Sequence, residues 1–190
     1  MSPTDRLHVV TGGPGSGKTT LIDALARAGV ATSPEVGRAV IKEELARGGN
    51  AVPWGDERAF ADRMIGRECA AHAAALASGR TVVLDRGVPD VIGFLRVSAL
   101  NVPPLIDAAA KSHRYNARVF LAPFWAEIYV HDAERIQPPS LARATEAIMR
   151  ETYAGYGYRL VELPRAGVEA RVRFVLDHLA TEERAVLQGG

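Results

Sequence analysis

The chain has 190 residues and a mass of 20.4 kDa, room for one domain with a small lid and too little for two well-packed cores. Its residues are 47% hydrophobic and 24% charged, which excludes wholesale disorder, and 23 basic against 22 acidic side chains give a formal charge of +1 that argues against a nucleic-acid partner. The single cysteine, Cys69, excludes a disulfide framework or a cysteine-based zinc site within one chain, and the five histidines show no metal-ligand spacing.

Residues 1–6 run straight into an apolar stretch that glycines interrupt by residue 12, unlike a signal peptide. No apolar run approaches the roughly 20 residues that span a bilayer, so a cytoplasmic protein without a membrane span is expected. The first predicted strand is Leu7–Thr11. It leads into Gly12-Gly13-Pro14-Gly15-Ser16-Gly17-Lys18-Thr19, which matches the Walker A pattern G-x-x-x-x-G-K-[ST]. Each residue type there serves a phosphate chain. Glycines let backbone N–H groups crowd round anionic oxygens. Lys18 brings an ammonium to the outer two phosphates, and Thr19 offers a hydroxyl to Mg²⁺. The helix opening at Thr20, with Leu21, Ile22 and Leu25 on one face, points its positive end at the same anion.

Strand two is Val30–Ser33, weak in pattern and expected from its place in the alternation. Glu35 follows it, at the end of the sheet where an acceptor hydroxyl would lose its proton; Arg38 lies one turn on. A helix with Val36, Val40, Ile41 and Leu45 on its face runs to a turn at Gly48-Gly49-Asn50. The longest helical stripe is Phe60, Met64, Ile65, Cys69, His72 and Leu76, with Asp56 placed to cap it; Cys69 and His72 read as core. Thr81–Leu84 is an apolar strand ending in Asp85, a Walker B arrangement whose carboxylate can hold Mg²⁺. Arg86 comes next, able to meet a substrate anion or the transferring phosphoryl group. Glu35 and Asp85 can divide the roles of base and metal shell in either order.

Helical patterns around Val91, Ile92 and Leu95 and around Leu105, Ile106 and Ala109 precede a strand at Arg118–Leu121. A lid is expected over roughly 124–140, with Arg135 delivered to the phosphates on closure. Trp54, Tyr115, Phe124, Trp125 and Tyr129 are aromatics that could wall an acceptor pocket. A helix carrying Leu141, Ile148 and Met149, a strand at Tyr158–Leu163 and a final helix carrying Val168, Val172, Val175, Leu176 and Leu179 complete the chain. Strands alternating with helices predict a single α/β domain over 1–190 with a parallel sheet covered on both faces.

Several stretches resemble a family of bacterial P-loop proteins, the AAA-domain ATPases grouped with the ribosylnicotinamide-kinase domain of the bacterial NAD regulator. They are Val9–Thr20, Pro34–Arg38, Leu84–Val91, Arg114–Pro123, Asp132–Arg135 and Gly157–Pro164. The layout is also similar to deoxynucleoside kinases, where a Glu after the second strand acts as base and an acidic-Arg pair after the third handles Mg²⁺ and phosphate. Glu35, Asp85 and Arg86 occupy those places, but Val36 replaces the proline expected after Glu35, and the lid lacks an R-x-x-x-R pair. The resemblance implies a three-layer P-loop NTPase sandwich with strand order 2-3-1-4-5, and an adenine site near Pro164 and Arg165. The expected function is an ATP- and Mg²⁺-dependent phosphotransferase acting on a small hydroxyl-bearing molecule such as a nucleoside. The alternative is a nucleotide-binding regulator or slow NTPase. Its partners would be a nucleoside triphosphate and a small acceptor, and the protein would be a monomer or homodimer.

Overall fold

In the computed structural model the structure describes residues 2–128 and 139–188. Five parallel strands form one sheet in the order β2-β3-β1-β4-β5, as expected from the resemblance. They are β1 Leu7–Gly12, β2 Ala31–Ser33, β3 Val82–Asp85, β4 Arg118–Ala122 and β5 Arg159–Glu162. The helices between and after them are α1 Lys18–Arg27, α2 Val36–Ala46, α3 Glu57–Ala77, α4 Val88–Val97, α5 Pro104–Ser112, α6 Pro139–Gly155 and α7 Val168–Gln188.

The period-2 geometry of the strands sorts their side chains onto two cores. Leu7, Val9, Val82, Leu84 and Val119 pack on one face with residues of α3, α4 and α5 and with Tyr153 of α6. Val10, Val83 and Phe120 pack on the other with Leu21, Ile22 and Leu25 of α1 and Val175 and Leu179 of α7. β1 is buried along its whole length, polar His8 and Thr11 included. Registry pairs Val10 with Asp85 and Gly12 with Ala122, so the carboxyl ends of β1, β3 and β4 finish side by side.

Two expected core positions are solvent-facing. Leu45, at the end of α2, and Leu105, in the first turn of α5, are 59% and 79% exposed. Each lies in a terminal turn, where the helix leaves the surface it packs on; Val40 and Ile106 carry the burial instead. On α3 the buried stripe is Phe60, Met64, Glu68, His72 and Ala75, with Leu76 at its margin and Asp56 capping Ala59 N at 2.9 Å. Cys69 packs against this core only partly buried.

Glu44 joins α2 to α3. Its buried carboxylate accepts from Arg47, from Arg63 Nε at 2.9 Å and from Ala51 N at 3.1 Å. Both arginines are about half exposed, which screens the pairs, but the backbone N–H is buried and has no substitute acceptor in an alanine. Glu44→Ala is therefore expected to lower unfolding free energy by about 2 kcal/mol, read from the urea midpoint at constant slope.

Candidate functional site

The loop between β1 and α1 is shaped by packing as well as by its expected ligand. A Cβ on Gly12 would lie 2.3 Å from the Ala122 carbonyl oxygen, and one on Gly13 would lie 2.5 Å from that of Ala142. Those two glycines are required by β4 and α6. Gly17 has φ +80° and is the N-cap of α1, so the left-handed turn falls where the helix opens. Lys18 folds back into the loop and donates to Gly13 O at 2.7 Å, Gly12 O at 3.1 Å and Ser16 Oγ at 3.2 Å. Burial, with Arg86 nearby, lowers its pKa to about 8 despite Asp85, Glu35 and Asp90.

Arg86 stands at the centre of the crevice with a left-handed backbone, φ +78°, which a non-glycine residue adopts only under constraint. The constraint is visible. Its N–H donates to Val10 O, Nε to Glu35 Oε1 at 3.0 Å, and Nη1 to Asp90 Oδ1 at 2.9 Å and Gly12 O at 3.2 Å. The guanidinium that sequence reading offers to a phosphoryl group is thus engaged within the protein. Meeting a ligand would require it to exchange or share one of these partners. Burial alone would lower the pKa of Arg86, but Glu35, Asp90 and Asp85 hold it above its usual value.

Glu35 is the N-cap of α2, directly after β2, and Arg38 Nε lies 3.6 Å from its second oxygen. Burial pushes its pKa up, and Arg86 and Lys18 more than offset that, so it lies below the usual glutamate value. Asp85, the last residue of β3, behaves in the opposite way. It is 3% exposed, its Oδ1 is buried without a hydrogen-bond partner, and burial raises its pKa to about 6 against the pull of Lys18. Thr19, Glu35 and Asp85 line one cleft of about 320 Å³ with Pro34, Arg38 and Lys42. A buried orphan oxygen beside a threonine hydroxyl is a donor set that fits Mg²⁺.

Sequence reading missed two residues that build this crevice. Asp90, in the first turn of α4, accepts from Thr11 Oγ1 at 2.7 Å and Gly87 N at 3.1 Å as well as from Arg86 and the Tyr153 hydroxyl. Its local signal, an acid just after Gly87-Val-Pro, reads only as a helix start. Arg171 of α7 donates to Ser16 O at 2.7 Å and Pro164 O at 2.8 Å, tying the phosphate loop to the segment after β5. No local pattern marks it.

Pro164 and Arg165 do lie near this strut. Arg165 Nε donates to Phe124 O, and Arg171 stands 5.2 Å from the Trp125 ring. Phe124 is covered by Arg143 at 4.4 Å, and Tyr115 is buried beneath Gly87 with its hydroxyl accepting from Val88 N. Trp54 is 69% exposed, far from an enclosed wall. Tyr129 and Arg135, with most of the expected lid, lie outside the described residues.

Two outcomes follow from this electrostatic arrangement. Because the folded pKa of Asp85 is raised, its ionisation costs stability; the cost is complete above about pH 6 and disappears as pH falls toward the ordinary aspartate value. Asp85→Asn is expected to raise the melting temperature of the metal-free protein at pH 7–8, with the gain shrinking at pH 4–5. Asp90→Ala is expected to destabilise by about 3 kcal/mol or more, since it strands Arg86 and two hydroxyls, and thermal or urea unfolding would measure it.

Comparison with known proteins agrees with this layout. A protein family described as "AAA domain" matches residues 7–171. No curated protein matches the sequence. Among solved structures, the NadR protein in complex with NR superimposes with a TM-score of 0.71 at 18% identity, over 93% of this chain and 51% of that one. The chain thus spans about half the length of NadR. Deoxyadenosine kinase from M. mycoides gives a TM-score of 0.62 at 12% identity, covering 92% and 99% of the two chains. Shikimate kinase from Acinetobacter baumannii in complex with shikimate gives 0.55 at 17% identity, covering 93% of each. At such identities the likeness concerns fold alone, and it is the fold of P-loop kinases. With most of its length matched by one family and its fold superimposing on these structures, the chain belongs to the AAA-domain family and has a P-loop kinase fold.

Proposed function

We propose that this protein is an ATP- and Mg²⁺-dependent phosphotransferase whose acceptor is a small hydroxyl-bearing molecule such as a nucleoside. The observation that carries this reading is the cleft in which Glu35, its pKa held low by Arg86 and Lys18, and Asp85, with its Oδ1 unpartnered, line one wall with Thr19 at the mouth of the Lys18 loop. A triphosphate held by residues 12–20, with its base toward Pro164 and Arg165, would bring its outer phosphate to that cleft. Thr19 and Asp85 would hold Mg²⁺, which when bound neutralises charge on the phosphate oxygens.

The acceptor oxygen would bond to the γ-phosphorus as the bond to the bridging oxygen of ADP breaks, and the hydroxyl proton would pass to Glu35. Phosphoryl transfer runs through a loose transition state, so the base has to orient the hydroxyl and receive a proton late. A carboxylate kept ionised by Arg86 suits that work. Arg86 would act mainly by holding Glu35, the loop carbonyl of Gly12 and Asp90 in one geometry.

The test is a panel of nucleosides, sugars and antibiotics with labelled ATP, scored for a new phosphorylated product. Lys18→Ala is expected to abolish most turnover while the far-ultraviolet spectrum stays native. Glu35→Gln is expected to keep ATP affinity, measured by calorimetry, and to lower transfer by about 10²–10⁴-fold. ATP hydrolysis with no phosphorylated acceptor would instead make the protein an NTPase.

A further inference from the structure

One hydrogen-bond donor beside the phosphate loop has no place in the chemistry above. Arg171 of α7 is only 2% exposed, and its three guanidinium nitrogens fare differently. Nη1 donates to Ser16 O at 2.7 Å and Nε to Pro164 O at 2.8 Å, but Nη2 is buried without a hydrogen-bond partner. Among the described residues no carboxylate pairs with the group. Its surroundings locate it. A Cβ on Gly17, the N-cap of α1, would lie 3.1 Å from Nη1 and 3.2 Å from Ile128 Cδ1, and the Trp125 ring is 5.2 Å from Cζ. A guanidinium is rigid and planar, so one Nη2 hydrogen runs parallel to the Nε hydrogen. Nη2 therefore points to the same side as the bond to Pro164 O, toward the segment that follows β5.

We propose that Arg171 is a base-reading residue of the nucleotide site, its Nη2 donating to a ring-nitrogen acceptor of adenine. The proposal rests on the reading of this protein as an ATP-dependent kinase and deepens it.

The physical case is one of unmet hydrogen bonding. Bracing the loop against the segment after β5 accounts for two nitrogens of the guanidinium. The third is taken out of water with nothing in return, which is costly for a charged donor. Burial and Arg165 lower the pKa of the group, and no acid offsets them. A triphosphate seated in the loop, with its base toward Pro164 and Arg165, would supply the missing acceptor, because adenine carries in-plane lone pairs on its ring nitrogens. The cover over Nη2 is thin, since Trp125 and Ile128 are themselves only partly buried. The base would take the place of that cover beside Gly17. A planar fork can hold the Ser16 carbonyl, the Pro164 carbonyl and a base at once, whereas an ammonium lacks the fixed directions to do so.

The experiment is calorimetric titration of wild type, Arg171→Met and Arg171→Lys with three kinds of ligand. They are ATP, inorganic tripolyphosphate, which has no base, and 1-deaza-, 3-deaza- and 7-deaza-ATP, each of which lacks one ring nitrogen. In wild type one of the three analogues is expected to bind about 10-fold or more weakly than ATP. Arg171→Met is expected to bind that analogue as it binds ATP, and to lose at least about 10-fold more affinity for ATP than for tripolyphosphate. Arg171→Lys, which keeps the charge without the fork, is expected to fall nearly as far for ATP. Equal losses for ATP and tripolyphosphate would make Arg171 a brace of the loop and overturn the assignment. Three analogues that bind wild type as tightly as ATP would overturn it too, and that result depends on no variant. The expected binding pattern without any phosphorylated acceptor would leave the assignment standing and remove the kinase reading. A wild type that binds no ATP would remove both.

Discussion

The buried guanidinium of Arg86 is the interaction on which the crevice depends. It reaches Glu35 after β2, the Gly12 carbonyl at the end of β1 and Asp90 after β3, so one side chain ties together the loops at three adjacent strand ends. The left-handed backbone at Arg86 is the conformational cost of turning the chain there, and Val10 O fixes it by accepting the Arg86 N–H. Asp90 closes the arrangement from below by also holding Thr11 and Tyr153, which brings α6 into the same network. Bidentate, permanently charged and planar, an arginine can span these partners where a lysine could serve only one direction.

The same network explains why neighbouring carboxylates differ so much. Glu35 has its charge matched by Arg86 and stays ionised, while Asp85 has an oxygen with no partner and is pushed toward neutrality. Lys18, buried under the loop carbonyls, is moved toward its neutral form by desolvation and by Arg86. Environments that drive titratable groups apart in this way separate roles among residues of one type. A cation or a phosphate chain arriving at this point would meet groups whose charges are only partly satisfied by the protein. The crevice is thus organised by an arginine engaged through Nε and Nη1, beside an aspartate with one unpartnered oxygen.

Glycine carries a similar double meaning in the phosphate loop. The loop motif explains every glycine by the phosphates it would surround, yet Gly12 and Gly13 are also required because Ala122 and Ala142 carbonyls occupy the space of a Cβ. Arg171 then braces the loop from behind through Ser16 O. The loop is therefore held from the β4–α6 side and from α7 before any ligand contributes.

Much of this protein was legible in its sequence because the relevant signals are local. Period-2 and period-3.6 patterns placed four strands and the helices between them, the second strand came from its place in the alternation, and the spacing from Gly12 to Thr19 marked the glycine-rich loop between β1 and α1. The position of Glu35 and Asp85 at strand ends followed from the alternation, because parallel strands direct their carboxyl ends to one edge. Strand order came from family resemblance, not from any residue pattern, and the structure bears it out. Terminal turns were misjudged at Leu45 and Leu105, where periodicity continues past the surface that the helix covers. What the tertiary structure alone decided is which polar groups are already satisfied. Arg86 is engaged by Asp90 and Glu35, Asp90 by Thr11 and Tyr153, and Ser16 by Arg171 across 155 residues, whereas Asp85 Oδ1 is buried without such a partner. Hydrogen-bond satisfaction and desolvation depend on atoms brought together from distant parts of the chain, and no window of sequence contains them.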